Sequence, residues 1–222
     1  MTEEVEYQRF KDTLRARFNR YTIKAYHTLP VLDRPFILDI GCGSGVPALE
    51  LARLSNGQIL GLDIDQSALD RFTKCIEEAG LSDRVKTMRR SMVDMDFADE
   101  SFDVIWAEGS IAAIGFIRGL KEWRRFLKPG GFLAVHDEEG NLEEKLAQIT
   151  DCGYELLDHF VLDSEIWWTE MYAPLEKHIN DIRAQSGSTG VLPEAAEDQR
   201  FIEIFKKNPR RYSSVFCIIK KV

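Results

Sequence analysis

The stretch ILDIGCGSGVPALELA contains three glycines and one carboxylate, and a second carboxylate follows the stretch along the chain. Asp39 lies two residues before Gly41, and Gly43 and Gly45 follow at alternate positions. Glycines in this spacing let a backbone turn sharply and approach a ligand without a Cβ in the way. The second carboxylate, Asp63, comes at the end of the next apolar run, where nucleotide-binding folds hold the two hydroxyl groups of a ribose. These residue types predict a nucleotide-binding turn.

The charge of Asp39 narrows the class of ligand. A pyrophosphate beside this carboxylate would be repelled at close range. A nucleoside with an ammonium and a sulfonium, and no phosphate, would be attracted instead. S-adenosylmethionine has that composition. Asp63 would bind its adenosine part, and the acidic turn would bind its cationic methionine part. A second role for Asp39, hydrogen bonding to the N–H groups of its own turn, stays open.

A parallel sheet would place both carboxylates at one edge. Strands and helices alternate along the chain, and the runs FILDI and FDVIWA are as apolar as strands buried on both faces. Strands are expected at 36–40, 58–62, 84–88, 102–107, 132–136, 154–161 and 212–220. In such sheets, ligands bind beyond the carboxyl ends of the strands, where the glycine turn is expected.

Four motifs carry a resemblance to a known family. LDIGCGSG, GLDID, ADESFDVIWAEGSI and FLKPGGFLAV occur in this order, and they resemble the successive motifs of class I S-adenosylmethionine-dependent methyltransferases. Within that family, the chain is most similar to small methyltransferases of ubiquinone and menaquinone biosynthesis. The resemblance implies an α/β fold: a doubly wound, Rossmann-like sheet of seven strands, mostly parallel, with an antiparallel last strand and helices on both faces.

The same resemblance implies one methyltransferase domain over residues 1–222. Covering helices are expected at 1–30, the cofactor-binding core at 36–137 and a helical insertion or lid at 163–208. Apolar residues recur at helical spacing in the insertion, where they pack on the sheet or cover a substrate: Trp168, Met171, Tyr172, Leu175, Ile179 and Ile182. The stretch SGSTG at 186–190 reads as a linker.

The residues of the glycine turn match positions of the corresponding family motif. Asp39, Gly41 and Gly43, with Cys42 between them, match the turn that holds the methionine part of S-adenosylmethionine. Asp63 matches the acid that binds the ribose. We interpret Cys42 as a small filler rather than a nucleophile, because no base partner is evident near it.

The adenine contacts depart from the family pattern. Ile64 matches the apolar residue that packs on the adenine ring. Ser91 and Met92 fall where the family often has Asp-Ala, so Ser91 would replace the carboxylate that accepts the adenine amino proton. Met92 would offer its backbone N–H and lay its side chain on the ring. Asp94 is an alternative acceptor two residues on.

The implied reaction is an SN2 displacement that transfers a methyl group to a small-molecule acceptor, a metabolite or a quinone-like compound, and releases S-adenosylhomocysteine. It needs alignment of the reacting atoms and, for some acceptors, a general base. Glu108, after the fourth strand, is the preferred base, and His136, after the fifth, is the second candidate. Glu108 could instead brace its own loop, and His136 could simply be satisfied by a neighbour. No metal site is expected at HDEE, since adjacent strand residues point to opposite faces.

Composition argues against several other classes of function. The net charge is −8 and the pI about 5.2, so the basic face that a nucleic-acid partner requires is not expected. No apolar run approaches the length of a membrane helix, and the start MTEEVEYQRF does not resemble a signal peptide. The four cysteines form no CxxC pair, which favours a reducing, cytoplasmic compartment.

Two other functions share parts of this pattern. A nicotinamide-dependent oxidoreductase would have the same sheet and the same use for Asp63, but it is disfavoured by Asp39 and by the later motifs. A protein of the methyltransferase fold that binds the nucleotide without catalysis is the other alternative, because nothing in the sequence separates binding from turnover.

Overall fold

The computed structural model of the chain describes residues 2–186 and 192–222. Most of the linker-like stretch at 186–190 lies outside the described residues. The chain divides into two compact units. The sheet unit comprises 19–161 and 215–222, and the helical unit comprises the described residues of 1–18 and 162–214.

The sheet has seven strands within the described residues. They are β1 (Phe36–Ile40), β2 (Gln58–Asp63), β3 (Val85–Arg89), β4 (Phe102–Glu108), β5 (Leu127–Glu138), β6 (Tyr154–Leu162) and β7 (Ser214–Lys221). Their order across the sheet is β3-β2-β1-β4-β5-β7-β6. The first five strands pair in parallel, and β7 runs antiparallel between β5 and β6. The predicted fold class is confirmed.

Helices follow most strands along the chain. They are α1 (Glu3–Arg15), α2 (Asn19–Thr28), α3 (Val46–Leu54), α4 (Gln66–Glu78), α5 (Phe116–Trp123), α6 (Leu142–Asp151), α7 (Ser164–Trp167), α8 (Ala173–Ser186) and α9 (Pro193–Lys207). Helices α2 to α6 belong to the sheet unit, and the others belong to the helical unit. None of the helices in the described ranges combines the length and the apolar character that crossing a membrane requires.

The register of the sheet brings the predicted site residues to one edge. Asp39 on β1 pairs with Gly61 of β2 and with Trp106 of β4, while Asp63 and Glu108 are the last residues of β2 and β4. Parallel strands end at the same edge of a sheet, so residues near their carboxyl ends are neighbours in space. The adjacent strands β2, β1 and β4 therefore present the three candidate acids together, and β5 adds His136 beside Glu108.

The helical unit has an apolar core of its own. Tyr7 and Leu14 of α1 pack with Ala195 and Ile202 of α9, and the stripe that begins at Trp168 packs in the same cluster. A polar network also ties α1 to α9. Whether this unit also serves as a lid stays a prediction, as does the assignment of the whole chain to one domain.

Several element boundaries differ from the sequence-based expectation. Strand β5 begins at Leu127 rather than at Phe132, because Leu127 pairs with Phe102 and the register shifts before Val104. The KPGG segment is therefore part of the strand, and Gly130 adopts a φ of 71° within it. Near the end of the chain, residues 209–212 form a 3-10 turn, so β7 starts two residues later than expected.

Candidate active site

The glycine turn is held by backbone hydrogen bonds to β2. Both Gly41 N and Cys42 N donate to the carbonyl oxygen of Leu62, at 2.7 and 3.0 Å. Gly41 and Gly43 have φ values of 73° and 53°, in the left-handed region that favours glycine. A Cβ placed on Gly43 would meet no atom within 4 Å. The backbone at Gly43 therefore faces open space in which a ligand can approach it.

Asp63 is joined directly to this turn. Its Oδ2 accepts a hydrogen bond from Gly43 N at 2.8 Å, and its Oδ1 accepts one from Asp65 N at 3.0 Å. A carboxylate has about four acceptor positions, so two remain for donors from a ligand. The side chain is half-buried. It can accept two hydroxyl protons without giving up either contact.

Asp39 is the most unusual group of the site. It is 2% exposed, and its Oδ2 has no hydrogen-bond partner among the described residues. Burial raises the pKa of Asp39 well above its ordinary value, and the negative charges of Glu108 and Asp63 raise it further. An unpartnered buried carboxylate among like charges is costly unless a cation or a donor satisfies it. A cationic ligand would satisfy this oxygen, whereas a diphosphate would add negative charge beside it.

The three residues predicted at the adenine lie beyond β2 and β3. Ile64 follows Asp63 and is 65% exposed, so its side chain is accessible to a ligand. The Cε atom of Met92 lies 3.8 Å from the Cβ position of Gly41, so Met92 borders the glycine turn. Ser91 Oγ accepts a hydrogen bond from Val93 N at 3.4 Å within its own turn.

Cys42 points away from the ligand side of the turn. Its Sγ would lie 2.9 Å from a Cβ on Gly61, so the thiol fills space against β2. Burial raises the pKa of the Cys42 thiol, and the charges of Asp39 and Asp63 act in the same direction. A thiol without thiolate character is a poor nucleophile. The geometry agrees with a packing role for this side chain.

Glu108 is held by two donors on one oxygen. Thr22 Oγ1 donates to Glu108 Oε1 at 2.8 Å, and Trp106 Nε1 donates to the same atom at 2.7 Å. Burial raises the pKa of Glu108 from 4.5 to about 7, although both hydrogen bonds lower it. A carboxyl group with a pKa near neutrality can accept a proton and return it.

His136 stands beside Glu108 on the neighbouring strand. The two residues are partners in the β4–β5 register, and His136 O accepts a hydrogen bond from Gly109 N at 2.9 Å. The imidazole stacks on Phe216 with ring centroids 4.3 Å apart. Burial lowers the pKa of His136 to about 4, so the ring is neutral at physiological pH.

Asp137, the residue directly after His136, takes part in an ion pair. Asp137 Oδ2 is bound to Lys145 Nζ, which also donates to the backbone oxygen of Glu138. Across the described ranges, no group of three or more His, Cys, Asp or Glu residues is arranged to hold a metal ion.

Sequence reasoning missed three residues of this site. Trp106 precedes Glu108 by two positions, and this same-face spacing on a strand is the signal that would have identified it. Ser110 donates from Oγ to the backbone oxygen of Ile40 at 2.5 Å and is buried against the glycine turn. Thr22 lies 86 residues before its partner, and no local pattern reveals such a contact.

Comparisons with known proteins add independent evidence. Residues 37–131 match a protein family described as "Methyltransferase domain". A sterol 24-C-methyltransferase of Gibberella zeae is 34% identical over 112 residues, which are 50% of this chain and 30% of that enzyme. The chain therefore corresponds to less than half the length of this curated relative.

Solved structures share the fold over most of the chain. The [4+2]-cyclase SpnF has a TM-score of 0.74 at 24% identity, covering 91% of this chain and 81% of its own. A methyltransferase of Geobacter sulfurreducens, crystallised with S-adenosyl-L-homocysteine, has a TM-score of 0.72 at 18% identity and covers 90% of each chain. At these identities the likeness concerns the fold alone.

The finer likeness to ubiquinone and menaquinone biosynthesis enzymes stays a prediction. The family match coincides with the strands and the glycine turn that carry the four motifs. Over residues 37–131, the chain therefore matches a methyltransferase domain.

Proposed function

We propose that this protein transfers a methyl group from S-adenosylmethionine to a small-molecule acceptor. The observation that carries the proposal is the buried carboxylate of Asp39, whose Oδ2 lacks a partner in the described part of the chain. The open space before Gly43 lies in the same turn. S-adenosylmethionine supplies a methyl group activated by a sulfonium, and its positive charges suit this acidic turn.

The glycine turn and Asp63 hold the cofactor in this proposal. Asp39 and the backbone of Gly41, Cys42 and Gly43 receive the methionine part. Asp63 accepts the two ribose hydroxyl protons with the acceptor positions that its backbone contacts leave.

The adenine lies on apolar side chains. Ile64 packs on one face of the ring, since its side chain is exposed directly after the ribose acid. Met92 borders the turn and contacts the ring as well. Ser91 or Asp94 accepts the amino proton of adenine.

Glu108 acts as the general base. Its pKa of about 7 keeps a large fraction of the group ready to accept a proton at neutral pH. His136 is the second candidate, but a pKa of about 4 makes it a weaker base. Glu108 takes the proton of the acceptor, and the surrounding turn keeps the nucleophile aligned.

The acceptor is a small metabolite or a quinone-like molecule. A small apolar acceptor is in keeping with the relative from Gibberella zeae, whose name gives a sterol as its substrate. The net charge of −8 disfavours nucleic acid. The four cysteines are free, which supports the cytoplasmic location that the proposal includes.

A second candidate function is cofactor binding without methyl transfer. It is favoured by one comparison, because a structural neighbour is described as a [4+2]-cyclase, and folds do not determine chemistry. An NAD-dependent oxidoreductase is a weaker alternative, since the diphosphate would meet Asp39.

An isotope-transfer experiment tests the proposed function. The protein is incubated with a metabolite extract and S-adenosylmethionine labelled in the methyl group, and products are followed by mass spectrometry. We expect labelled metabolites with the wild-type protein and far fewer with Glu108→Gln. Cofactor binding without labelled metabolites would favour the second candidate.

A further inference from the structure

We infer that Thr22 and Trp106 are positioning residues, which hold Glu108 by its Oε1 atom so that Oε2 receives the proton of the acceptor. This inference deepens the proposed function and rests on it for the source of that proton. The hydrogen bonds themselves are a property of the chain and can be tested without turnover.

The geometry gives the two oxygens of Glu108 different roles. Oε1 accepts from Thr22 Oγ1 at 2.8 Å and from Trp106 Nε1 at 2.7 Å. A carboxylate oxygen has two lone pairs in its plane, so both are engaged. No hydrogen bond from the described residues reaches Oε2. A proton can therefore bind Oε2 without breaking either contact, whereas binding at Oε1 would break one.

Both donors are held firmly by their surroundings. Trp106 and Thr22 are fully buried, and the indole N–H can only donate, so it requires an acceptor at this depth. Thr22 is β-branched, which limits it to two main χ1 rotamers in a helix. Its helix, α2, is anchored beside α3 by a hydrogen bond from Asn19 to Glu50 at 3.3 Å. Neither donor needs to be ordered when a ligand arrives.

Burial of Glu108 raises its pKa, and this is the effect that the two donors oppose. Asp39 faces it from β1, with Asp63 beyond on β2, and neutral His136 is its neighbour on β5. From α2 the facing group is the hydroxyl of Thr22. Burial raises the pKa of Glu108, and the two donors are the groups that lower it. Loss of one donor should leave the carboxyl protonated over more of the neutral range.

The proton step follows from this arrangement. The O–H, N–H or activated C–H bond of the acceptor breaks, and its electron pair stays on the acceptor as the nucleophile. The proton bonds to Oε2, which gives a neutral carboxylic acid still held at Oε1. The acid then releases its proton to water. An acceptor that carries a removable proton is thus the class that this carboxylate serves.

Variants of Thr22 test the inference. Thr22→Val keeps the volume and removes the donor, Thr22→Ala removes it in a smaller side chain, and Thr22→Ser keeps a hydroxyl. Thr28→Val is the matched control, because Thr28 lies on the same helix and, within the described ranges, its hydroxyl bonds only the backbone of Lys24. The titration of Glu108 is read from infrared spectra of its carboxyl band, by subtracting the spectrum of each variant that also carries Glu108→Gln.

We expect the titration midpoint of the Glu108 carboxyl group to rise by about one pH unit in Thr22→Val and Thr22→Ala. This is the size expected when a charged group loses one hydrogen bond. It should stay near the wild-type value in Thr22→Ser and Thr28→Val. The acidic side of the curve of turnover rate against pH should move by the same amount.

Two results would overturn the inference: an unchanged midpoint in both Thr22→Val and Thr22→Ala, or an equal shift in Thr22→Ser. A shifted midpoint in a protein that transfers no methyl group supports the positioning role, and the proposed function alone fails.

Discussion

Glu108 is the single side chain on which the proposed chemistry depends most. Its carboxyl group is half-buried, one of its oxygens accepts two hydrogen bonds, and its pKa is about 7. These properties are those of a group that changes its protonation state during a reaction near neutral pH.

Replacement of Glu108 by Gln tests the base directly. The amide keeps the shape and can still accept from Thr22 and Trp106, but it cannot take up the proton. We expect turnover to fall by about 10²–10⁴-fold, the usual contribution of a general base, while cofactor affinity hardly changes. Single-turnover kinetics and calorimetry measure the two quantities, and near-normal turnover would remove Glu108 from the catalytic residues.

The same substitution should change how stability depends on pH. Burial raises the pKa of Glu108 from 4.5 to about 7, so the folded state binds this proton more tightly than the unfolded chain. The contribution to stability is fully present below the unfolded pKa and is lost as pH rises through the folded pKa. Between about pH 4.5 and about pH 7, the free energy of unfolding of the wild type should therefore fall by up to about 3 kcal/mol more than that of Glu108→Gln. Urea unfolding at several pH values checks this, and parallel curves would contradict it.

Gly43 allows a prediction with a close control elsewhere in the chain. Gly43 and Gly80 have φ values of 53° and 67°, and a Cβ on either meets no atom within 4 Å. Valine at either position should cost similar backbone strain, about 1–2 kcal/mol. Only Gly43→Val should abolish cofactor binding, because its side chain would occupy the ligand space. Normal binding by Gly43→Val in a thermal-shift titration would show that the turn is not the site.

At the scale of elements, the strands were predictable and their ends were less so. Strands β1 and β4 are continuous apolar runs because both faces are covered, and such runs can be recognised locally. The start of β5 was missed because KPGG is typical of a turn, whereas pairing of Leu127 with Phe102 extends the strand. The pairing of strands across a sheet cannot be predicted from the local sequence pattern.

The insertion offers a test at this scale. Trp168 is half-buried and stacks on Phe205 of α9 with ring centroids 6.0 Å apart. If this contact is structural, Trp168→Ala should lower stability by about 3 kcal/mol, at the lower end for loss of a large aromatic side chain, and Trp168→Phe should restore much of it. Chemical denaturation measures both. A normal unfolding curve together with a raised Michaelis constant for an acceptor would point instead to a lid that contacts the substrate.

Across the whole molecule, sequence motifs account for the meeting of the proposed cofactor residues but not for the contacts of Glu108. Asp39, Gly43 and Asp63 lie in motifs of fixed spacing around one turn, so their meeting follows from the fold. Thr22 reaches Glu108 from a helix that precedes the sheet, and only the tertiary structure brings them together. No motif of fixed spacing marks an acceptor site, so the identity of the acceptor could not be predicted from the sequence.

Calorimetric titration of the full chain with S-adenosylmethionine, S-adenosylhomocysteine and NAD tests most directly whether this site binds an adenosyl sulfonium. We predict binding of the first two and none of NAD, because its diphosphate would meet Asp39. Asp63→Ala should weaken cofactor binding by about 10- to 150-fold, the worth of hydrogen bonds to a charged group. Tight binding of NAD, or equal cofactor affinity in wild type and Asp63→Ala, would contradict the assignment of this site to S-adenosylmethionine.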